Sequence, residues 1–488
     1  MSPNRPAAII VLAAGEGTRM KSATPKVLHE LCGRSMVGHV VLAAGELAPE
    51  RLVVVVGHGR ERVVAHLAEL DTGVRTAVQT EQRGTAHAVR TALAALAAED
   101  GGTPVGTVLV TCGDTPLQTA ATLRALAERH ASEKNAVTVL TMELPDATGY
   151  GRVVREPDGS VTEIVEHKDA SPAALAIREV SSGVFAFDGE LLVEALDKVG
   201  TDNSQGEEYL PDVLRILRAA GHRVGAELAA DPRELVGINN RVQLAHARRL
   251  LNDRLLEAAM LSGVTVVDPA STWVDATVTF EPDSVVQPGC QLLGATHVAA
   301  DAEVGPGTRL RDCTVGEGAS VVHTVADTAV IGAGANVGPY AYLRPGTLLG
   351  TDTKIGGFVE VKNSTLGTGT KVPHLSYVGD ATIGEHTNIG ASSVVVNYDG
   401  EAKHRTTIGS HCRTGADNTF VAPVTVGDGT YTAAGSVITV DVPPGSLGVA
   451  RGKQRNVPDW VARKRPGSAA DRAAQAALAA AEPDHDQD

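Results

Sequence analysis

Two stretches of the 488-residue chain carry side chains that could bind and transfer phosphate groups. The first runs Leu12-Ala13-Ala14-Gly15-Glu16-Gly17-Thr18-Arg19-Met20, followed by Pro25-Lys26. Glycines let backbone N–H groups approach phosphate oxygens, and a helix start just beyond them favours negative charge. The P-loop pattern GxxxxGK[ST] is absent, and Met20 stands where the third glycine of a dinucleotide fingerprint would fall. Arg19 and Lys26 add two full positive charges, which suits a triphosphate better than a neutral ligand. A plain strand–turn–helix is the alternative reading. The second stretch holds Arg344 and Lys362, each next to a member of an unbroken series (Ile331, Val337, Leu343, Leu349, Ile355, Val361) that recurs every six residues. Three hexapeptides make one coil, so the two cations are expected on one corner, about 4.8 Å apart. Like charges that close are unfavourable unless an anion lies between them. Phosphate is the natural anion; two solvated side chains splayed apart are the alternative.

Such residues need elements to hold them. Ile9–Leu12, Leu52–Val56, Val108–Thr111 and Ala136–Leu140 read as buried strands, and Ala86–Ala98 and Ala120–Arg129 as helices between them. Strands alternating with helices predict an α/β domain with a mostly parallel sheet over residues 1–240. A helix over 241–263 follows, with Leu244, Leu251, Leu255 and Ala258 on one face, Asn240 as N-cap and Gly263 as stop. Residues 264–465 then read as a parallel β-helix of hexapeptide repeats. Its second run is Ile408, Thr414, Phe420, Val426, Thr432 and Ile438, and it is expected to end near Pro443-Pro444. Residues 397–405 hold no apolar repeat residue and should leave the coil as a loop. Residues 466–488 read as a disordered, solvated tail.

Aromatic residues make up only 3 % of the chain, so the core must be aliphatic. The net charge of −15 disfavours nucleic acid or an acidic membrane surface as the main partner. The five scattered cysteines form no CxxC pair, which fits reduced thiols in the cytoplasm. The apolar run after Arg5 could imitate a signal peptide, but the glycine loop that follows it favours a first buried strand. No run is long enough for a membrane helix.

The glycine loop resembles that of the sugar-1-phosphate nucleotidyltransferases. Further matching pieces are Gln79, Gln82-Arg83-Gly84-Thr85, Cys112-Gly113-Asp114, Gly149-Tyr150-Gly151-Arg152, Ile164-Val165-Glu166 and Gly237-Ile238-Asn239-Asn240-Arg241. With the β-helix, the whole chain except its tail resembles the bifunctional family of N-acetylglucosamine-1-phosphate uridylyltransferases and glucosamine-1-phosphate N-acetyltransferases. The resemblance implies a Rossmann-like α/β nucleotidyltransferase domain followed by a left-handed parallel β-helix. It implies acetyl transfer from acetyl-CoA to glucosamine-1-phosphate, then uridylyl transfer from UTP, in a homotrimer.

The resemblance also assigns residues. Leu12, Ala13, Ala14, Gly15 and Gln79 would contact the nucleotide, with Gly84 and Thr85 on the uracil side and Cys112 and Gly113 beside them. Asp114 and Asn239 would hold Mg²⁺, a hard cation suited to oxygen donors. Gly151, Glu166 and Asn239 would line the sugar pocket, and Arg19 and Lys26 would neutralise the triphosphate. Cys112 replaces the family's usual aromatic residue, and Ser181 its usual sugar-contacting asparagine. In the β-helix, Arg344 and Lys362 would take the amino-sugar phosphate, and Tyr377 and Asn388 the sugar. His374 would be the general base, since histidine titrates near neutral pH, with Glu360 a candidate to orient it. Ala391, Asn397, Tyr398, Ala434 and Arg451 would line the acetyl-CoA groove, together with Ala416, where the family usually has serine. Arg463-Lys464-Arg465 could meet CoA phosphates or form a solvated run, and Trp460 could cover a neighbouring subunit's site. A rival reading takes His374, His386 and His411 as zinc ligands, but their spacing is unmatched. Two others keep the folds and drop chemistry: a nucleotidyltransferase with an assembly-only β-helix, and a non-catalytic sensor.

Overall fold

A computed structural model describes residues 5–70, 73–100 and 102–481. The chain divides into two compact units, one ending at Asp352 and one beginning at Thr353.

In the first unit, aliphatic runs form strands β1 (Ala8–Ala13), β2 (Leu52–Val56), β3 (Arg75–Val78), β4 (Thr107–Cys112), β5 (Val137–Glu143), β6 (Arg152–Arg155), β7 (Val161–Val165), β8 (Glu179–Asp188) and β9 (Val224–Leu228). Their order is β9-β5-β8-β4-β1-β2-β3, with the β6–β7 hairpin attached to β8. β1 is parallel to both β2 and β4. β8 is antiparallel to β4 and β5, so the mostly parallel sheet carries one reversed strand in its middle. Successive side chains leave opposite faces of a strand. Ile10, Val53 and Val55 therefore pack on one side under helices α2 (Thr85–Asp100), α4 (Gly189–Leu196) and α5 (Asp212–Ala219). Ile9, Val11 and Val54 pack on the other under α1 (Met36–Gly45) and α3 (Ala120–Glu133). Each fully buried Val or Leu stabilises the unit by about 1.5–3 kcal/mol. From β1 the chain runs outward through β2 and β3, then returns to place β4 on β1's other side. That reversal leaves a crevice outside the carboxyl ends of β1 and β4, where ligands of open α/β sheets bind.

Helix α6 (Arg241–Leu261) begins at Asn240, whose side chain accepts from the N–H groups of Val242 and Gln243. Leu244, Ala247 and Leu251 pack with Met20, Leu31 and Leu117 of the α/β part. On the same helix Asn252, fully buried, donates to the Thr272 carbonyl and accepts from the Val274 N–H, both at 2.9 Å. The unit continues through the first coils to Asp352, so packing does not break at 240 or 263, where the sequence texture changes.

The coils are three short parallel strands per turn, as in a left-handed β-helix. In the first unit Val286, Val304, Val321 and Val337 stack inward in one column, and Leu292, Leu310, Ala326 and Leu343 in the next. In the second unit Val361, Val378, Val395, Phe420 and Ile438 form one column, and Leu366, Ile383, Ile408 and Val426 another. The strict six-residue step holds only in part: Glu303 faces Ser320, 17 residues on, and Ser320 faces Asn336, 16 residues on. Residues 397–405 leave the coil between strands Val394–Val396 and Thr406–Ile408, as the lost register predicts. The coil passes the expected stop at Pro443-Pro444, because Leu447–Gly448 still pairs in parallel with Tyr431–Thr432.

The disordered tail expected over 466–488 is corrected where it is described: Ala469–Ala481 is helix α7. Alanine loses least on entering a helix. The Ser468 hydroxyl accepts from the Asp471 N–H, and the buried Asp471 carboxylate accepts from the Gly467 N–H. Residues 482–488 lie outside the described residues.

Candidate functional site: a sheet crevice and a coil cluster

The crevice brings the expected phosphate residues together. Gly113 donates its N–H to the Leu12 carbonyl at 2.8 Å, locking the loops after β1 and β4 side by side. Gly17 lies at φ +67°, and a Cβ there would meet the Lys26 side chain at 2.5 Å. Only glycine lets the loop fold over that lysine. The Lys26 ammonium lies 2.5 Å from Asp114 Oδ2 and 2.7 Å from Asn239 Oδ1. Arg19 donates to the same Asn239 oxygen at 2.9 Å. Asn239 is itself fixed, its N–H donating to Gln243 Oε1 at 2.7 Å and the neighbouring Ile238 N–H to the Asp114 carbonyl at 3.0 Å. Two hard oxygen donors thus converge around one cation position, a donor set that fits Mg²⁺.

On one side of the loop, an open cavity of about 710 Å³ is bordered by Glu16, His58, Arg60, Gln79 and Gln82. Gln79 is buried and donates to the Gly84 carbonyl, and Gln82 donates to the Ala14 carbonyl at 2.9 Å. Gly84, at φ +117°, presses on Glu208, where a Cβ would stand 2.4 Å from that residue's carbonyl oxygen. Sequence reasoning missed Glu208. Its carboxylate, 3 % exposed, sits between Arg83 at 2.6 Å and Arg90 at 2.7 Å and braces the 82–85 loop. Thr85 Oγ1 accepts from the Leu210 N–H at 2.9 Å, tying the loop from its other end.

On the other side, a cavity of about 210 Å³ is lined by Leu12, Thr85, Cys112, Gly151, Glu166 and Ser181. A side chain at Gly151 would meet Glu166 Oε1 at 3.1 Å, so glycine keeps this pocket open. Burial pushes the Glu166 carboxyl above the ordinary range, with Asp169 and Asp212 adding to the effect. Burial also raises the Cys112 thiol to about 12, with Asp114 contributing, which disfavours its thiolate. Ser181 reaches the pocket because β8 breaks register between Ser181 and Val184, with Ser182 donating to the Leu140 carbonyl at 2.7 Å.

The coil residues are arranged differently. Arg344 follows strand Tyr342–Leu343 in the first unit; Lys362 ends strand Glu360–Lys362 in the second. His374 ends strand Lys371–His374 with an exposed side chain, opposite Gly357. Glu360 faces Tyr377 on a different side of the coil, so strand register does not align it with His374. Asn388 pairs with Lys371 and Arg413 in isolated bridges. Ala391, Ala416 and Ala434 stack in successive coils: Asp417 N–H donates to the Ala391 carbonyl at 2.7 Å and Gly435 N–H to the Ala416 carbonyl at 2.9 Å. Ala416 and Ala434 are exposed and Ala391 partly so, which makes the column a strip of small side chains. Tyr398 is exposed in the adjoining loop, which Asp399 closes by accepting from the N–H groups of Glu401 and Ala402 and pairing with His404 at 2.6 Å. Arg451 and Trp460 are exposed beyond the last coil. Arg463 donates to the Pro458 carbonyl at 2.7 Å, so this member of the basic run also caps its own turn. His386 and His411 stack on each other, ring centroids 5.2 Å apart, on corners of successive coils.

One buried group in this region has no counterpart among the expected residues. Asp380, 7 % exposed, accepts from Asn363 at 2.6 Å, from Asn397 at 2.5 Å and from Lys362 at 3.2 Å. Burial alone would raise its carboxyl; the two amides and the lysine outweigh it and hold the group below the usual range. Its spacing did not mark it: strand register puts Gly379, 17 residues on, opposite Lys362, and Asp380 meets Asn363 instead.

Residues 8–253 match the nucleotidyl transferase family model. The chain is 71 % identical, over 98 % of both chains, to a protein of Streptomyces coelicolor named bifunctional protein GlmU. Proteins with the same name in Thermobifida fusca, 59 % identical over 99 % of this chain and all of the relative, and in Corynebacterium aurimucosum, 59 % identical over 96 % of both, agree.

Proposed function

The chain belongs to the GlmU family of bifunctional proteins, and from that premise we propose how its two sites divide the synthesis of UDP-N-acetylglucosamine. The enzyme acetylates glucosamine-1-phosphate with acetyl-CoA, then transfers a uridylyl group from UTP and releases pyrophosphate. The sheet crevice carries the second step. Lys26 and Arg19 draw in the triphosphate, Leu12, Ala13, Ala14, Gly15 and Gln79 contact the nucleotide, Gly84 and Thr85 hold its uracil side, and Gly151, Glu166, Ser181 and Asn239 line the sugar pocket. A sugar phosphate oxygen attacks the α-phosphorus of UTP and pyrophosphate leaves, so the protein needs only to position and neutralise. Mg²⁺ held by Asp114 and Asn239 would supply further charge neutralisation. The convergence of Lys26, Arg19, Asp114 and Asn239 at the mouth of the crevice carries this reading.

The coil cluster carries the first step. His374 takes the proton that the attacking amine loses as its C–N bond to the thioester carbonyl forms. Lys362 holds the sugar phosphate, the role the family resemblance also gives Arg344, and Tyr377 and Asn388 hold the sugar. The alanine strip, Asn397, Tyr398 and Arg451 receive acetyl-CoA. The protein acts as a homotrimer in the cytoplasm, with the acyl-donor groove completed by neighbouring chains. Among the described residues no helix is long and apolar enough to cross a membrane.

One assay tests the whole. Given UTP, Mg²⁺, acetyl-CoA and glucosamine-1-phosphate, the protein should release both free thiol and pyrophosphate. Thiol without pyrophosphate, or the reverse, would remove one half. A monomeric mass at micromolar concentration with full acetyl transfer would remove the trimer.

A further inference from the structure

The coil cluster holds a carboxylate that the reaction itself does not call for. Asp380 is buried and touches neither of the groups expected to react. Its Oδ2 accepts from Lys362, which the proposed function places on the sugar phosphate, and from Asn397, which it places on the acyl donor. Its Oδ1 accepts from Asn363, next to Lys362 in the chain. The backbone repeats the link: Asp380 N–H donates to the Lys362 carbonyl at 3.0 Å, and the Asp380 carbonyl accepts from Thr406 N–H at 3.2 Å, where the chain re-enters the coil after the loop. Tyr377, assigned to the sugar, stands within 3.4 Å of the same Asn397 amide. Asp380 adopts φ +51°, a left-handed conformation in which a non-glycine residue is uncommon.

We propose that Asp380 is a positioning residue that couples the two substrate subsites of the acetyl-transfer centre, by fixing the Lys362 ammonium and the Asn397 carboxamide on one buried oxygen. The inference rests on the acetyl-transfer reading above. An ammonium has three donors, so fixing one on Asp380 sets the direction of the others. A carboxylate near a phosphate site also repels the ligand. Here the two amides and the lysine absorb that charge, so orientation outweighs repulsion. Moving Asn397 disturbs Lys362 through the shared acceptor, and an ordered loop on one side favours an ordered lysine on the other.

The test uses the full chain. Asp380→Asn keeps the shape and removes the charge. Melting temperature, and KM for each substrate against kcat, are measured for wild type, Asp380→Asn, Lys362→Met and the double variant. The expected result is a rise on the order of tenfold in KM for glucosamine-1-phosphate, a smaller rise in KM for acetyl-CoA, and a smaller change in kcat. The double variant should be no worse in glucosamine-1-phosphate KM than Lys362→Met alone, since Asp380 acts through that lysine. Unchanged KM values, a fall in KM for the sugar phosphate, or fully additive effects would each overturn the inference. Should Asp380→Asn not fold, Asn397→Ser reads the coupling from the other side. It should raise KM for glucosamine-1-phosphate, a substrate Asn397 is not assigned to touch, and no rise overturns the proposal. A wild-type protein that transfers no acetyl group would instead sink the parent reading.

Discussion

The crevice and the coil cluster reach polar, positioned side chains by opposite routes. The crevice gathers segments far apart in sequence, 12–26, 79–85, 112–114, 151–181 and 239, because a parallel sheet reverses its winding between β1 and β4. Its residues are largely held by one another, as Lys26, Arg19, Asp114 and Asn239 are. The coil cluster draws on positions one turn apart on a regular scaffold, and its expected base is exposed. A site assembled by topology is thus braced on all sides, while one assembled by repetition depends on a few buried ties such as Asp380. Damage should travel through a few such ties in the coils and through many contacts in the crevice.

The largest expected effect would separate the two regions outright. His374→Ala should lower kcat of acetyl transfer on the order of 10² to 10⁴-fold and leave uridylyl transfer intact. A rise in KM alone would make the histidine a binding residue. Next comes acid. Burial lowers His39 and His130, both in helices of the α/β part, to about 4. Their unfolded forms titrate near 6.5. Between those values the unfolded chain binds more protons, so stability is full above about pH 6.5 and falls as the pH drops toward 4, by about 3 kcal/mol per histidine. Calorimetry at pH 7 and pH 4.5 should show the α/β transition moving down more than any coil transition, and His130→Asn should flatten its slope. Asn252→Ala should cost on the order of 3 kcal/mol by stranding a buried carbonyl and N–H of the first coil. For the same reason a chain cut after Gly263 should melt earlier than the intact protein, even if it keeps uridylyl transfer. A shift under 1 °C for either variant would show that the helix and first coil are energetically independent. The smallest effect belongs to truncation after Gly467, which should leave both activities unchanged in a steady-state assay; a large loss of either would give helix α7 a role.

Period and punctuation made much of this legible. The alternation of strands and helices, the six-residue series, the loop at 397–405 and the start of α6 at Asn240 can all be read from residue types. Strand β8 was not, because Ser181-Ser182-Gly183 interrupts its apolar run; those residues form the break in register that aims Ser181 into the pocket lined by Gly151 and Glu166. Helix α7 was missed because an alanine-rich stretch ending in acidic residues looks solvating, although Ser468 and Asp471, three positions apart, form a capping signature legible in residue types. Glu208 and Asp380 were missed for a shared reason. A buried carboxylate is recognised by the donors that surround it, and those arrive from elsewhere in the chain.

The lysine between Asp114 and Asn239 has a consequence for the order in which ligands arrive. With Mg²⁺ held by those two residues as proposed, the Lys26 ammonium occupies the ion's place, so the protein would carry its own competitor. An ion entering there would have to displace a bound charge, and its apparent affinity would be the intrinsic affinity multiplied by the fraction of molecules in which the lysine has withdrawn. Triphosphate oxygens offer the lysine an alternative partner and so raise that fraction. By reciprocity the ion then strengthens nucleotide binding by the same factor. Calorimetric titration of Mg²⁺ into the protein should therefore give weak binding in the absence of nucleotide and tighter binding to a Lys26→Met variant; equal affinities for the two proteins would show that the lysine gives way without resistance.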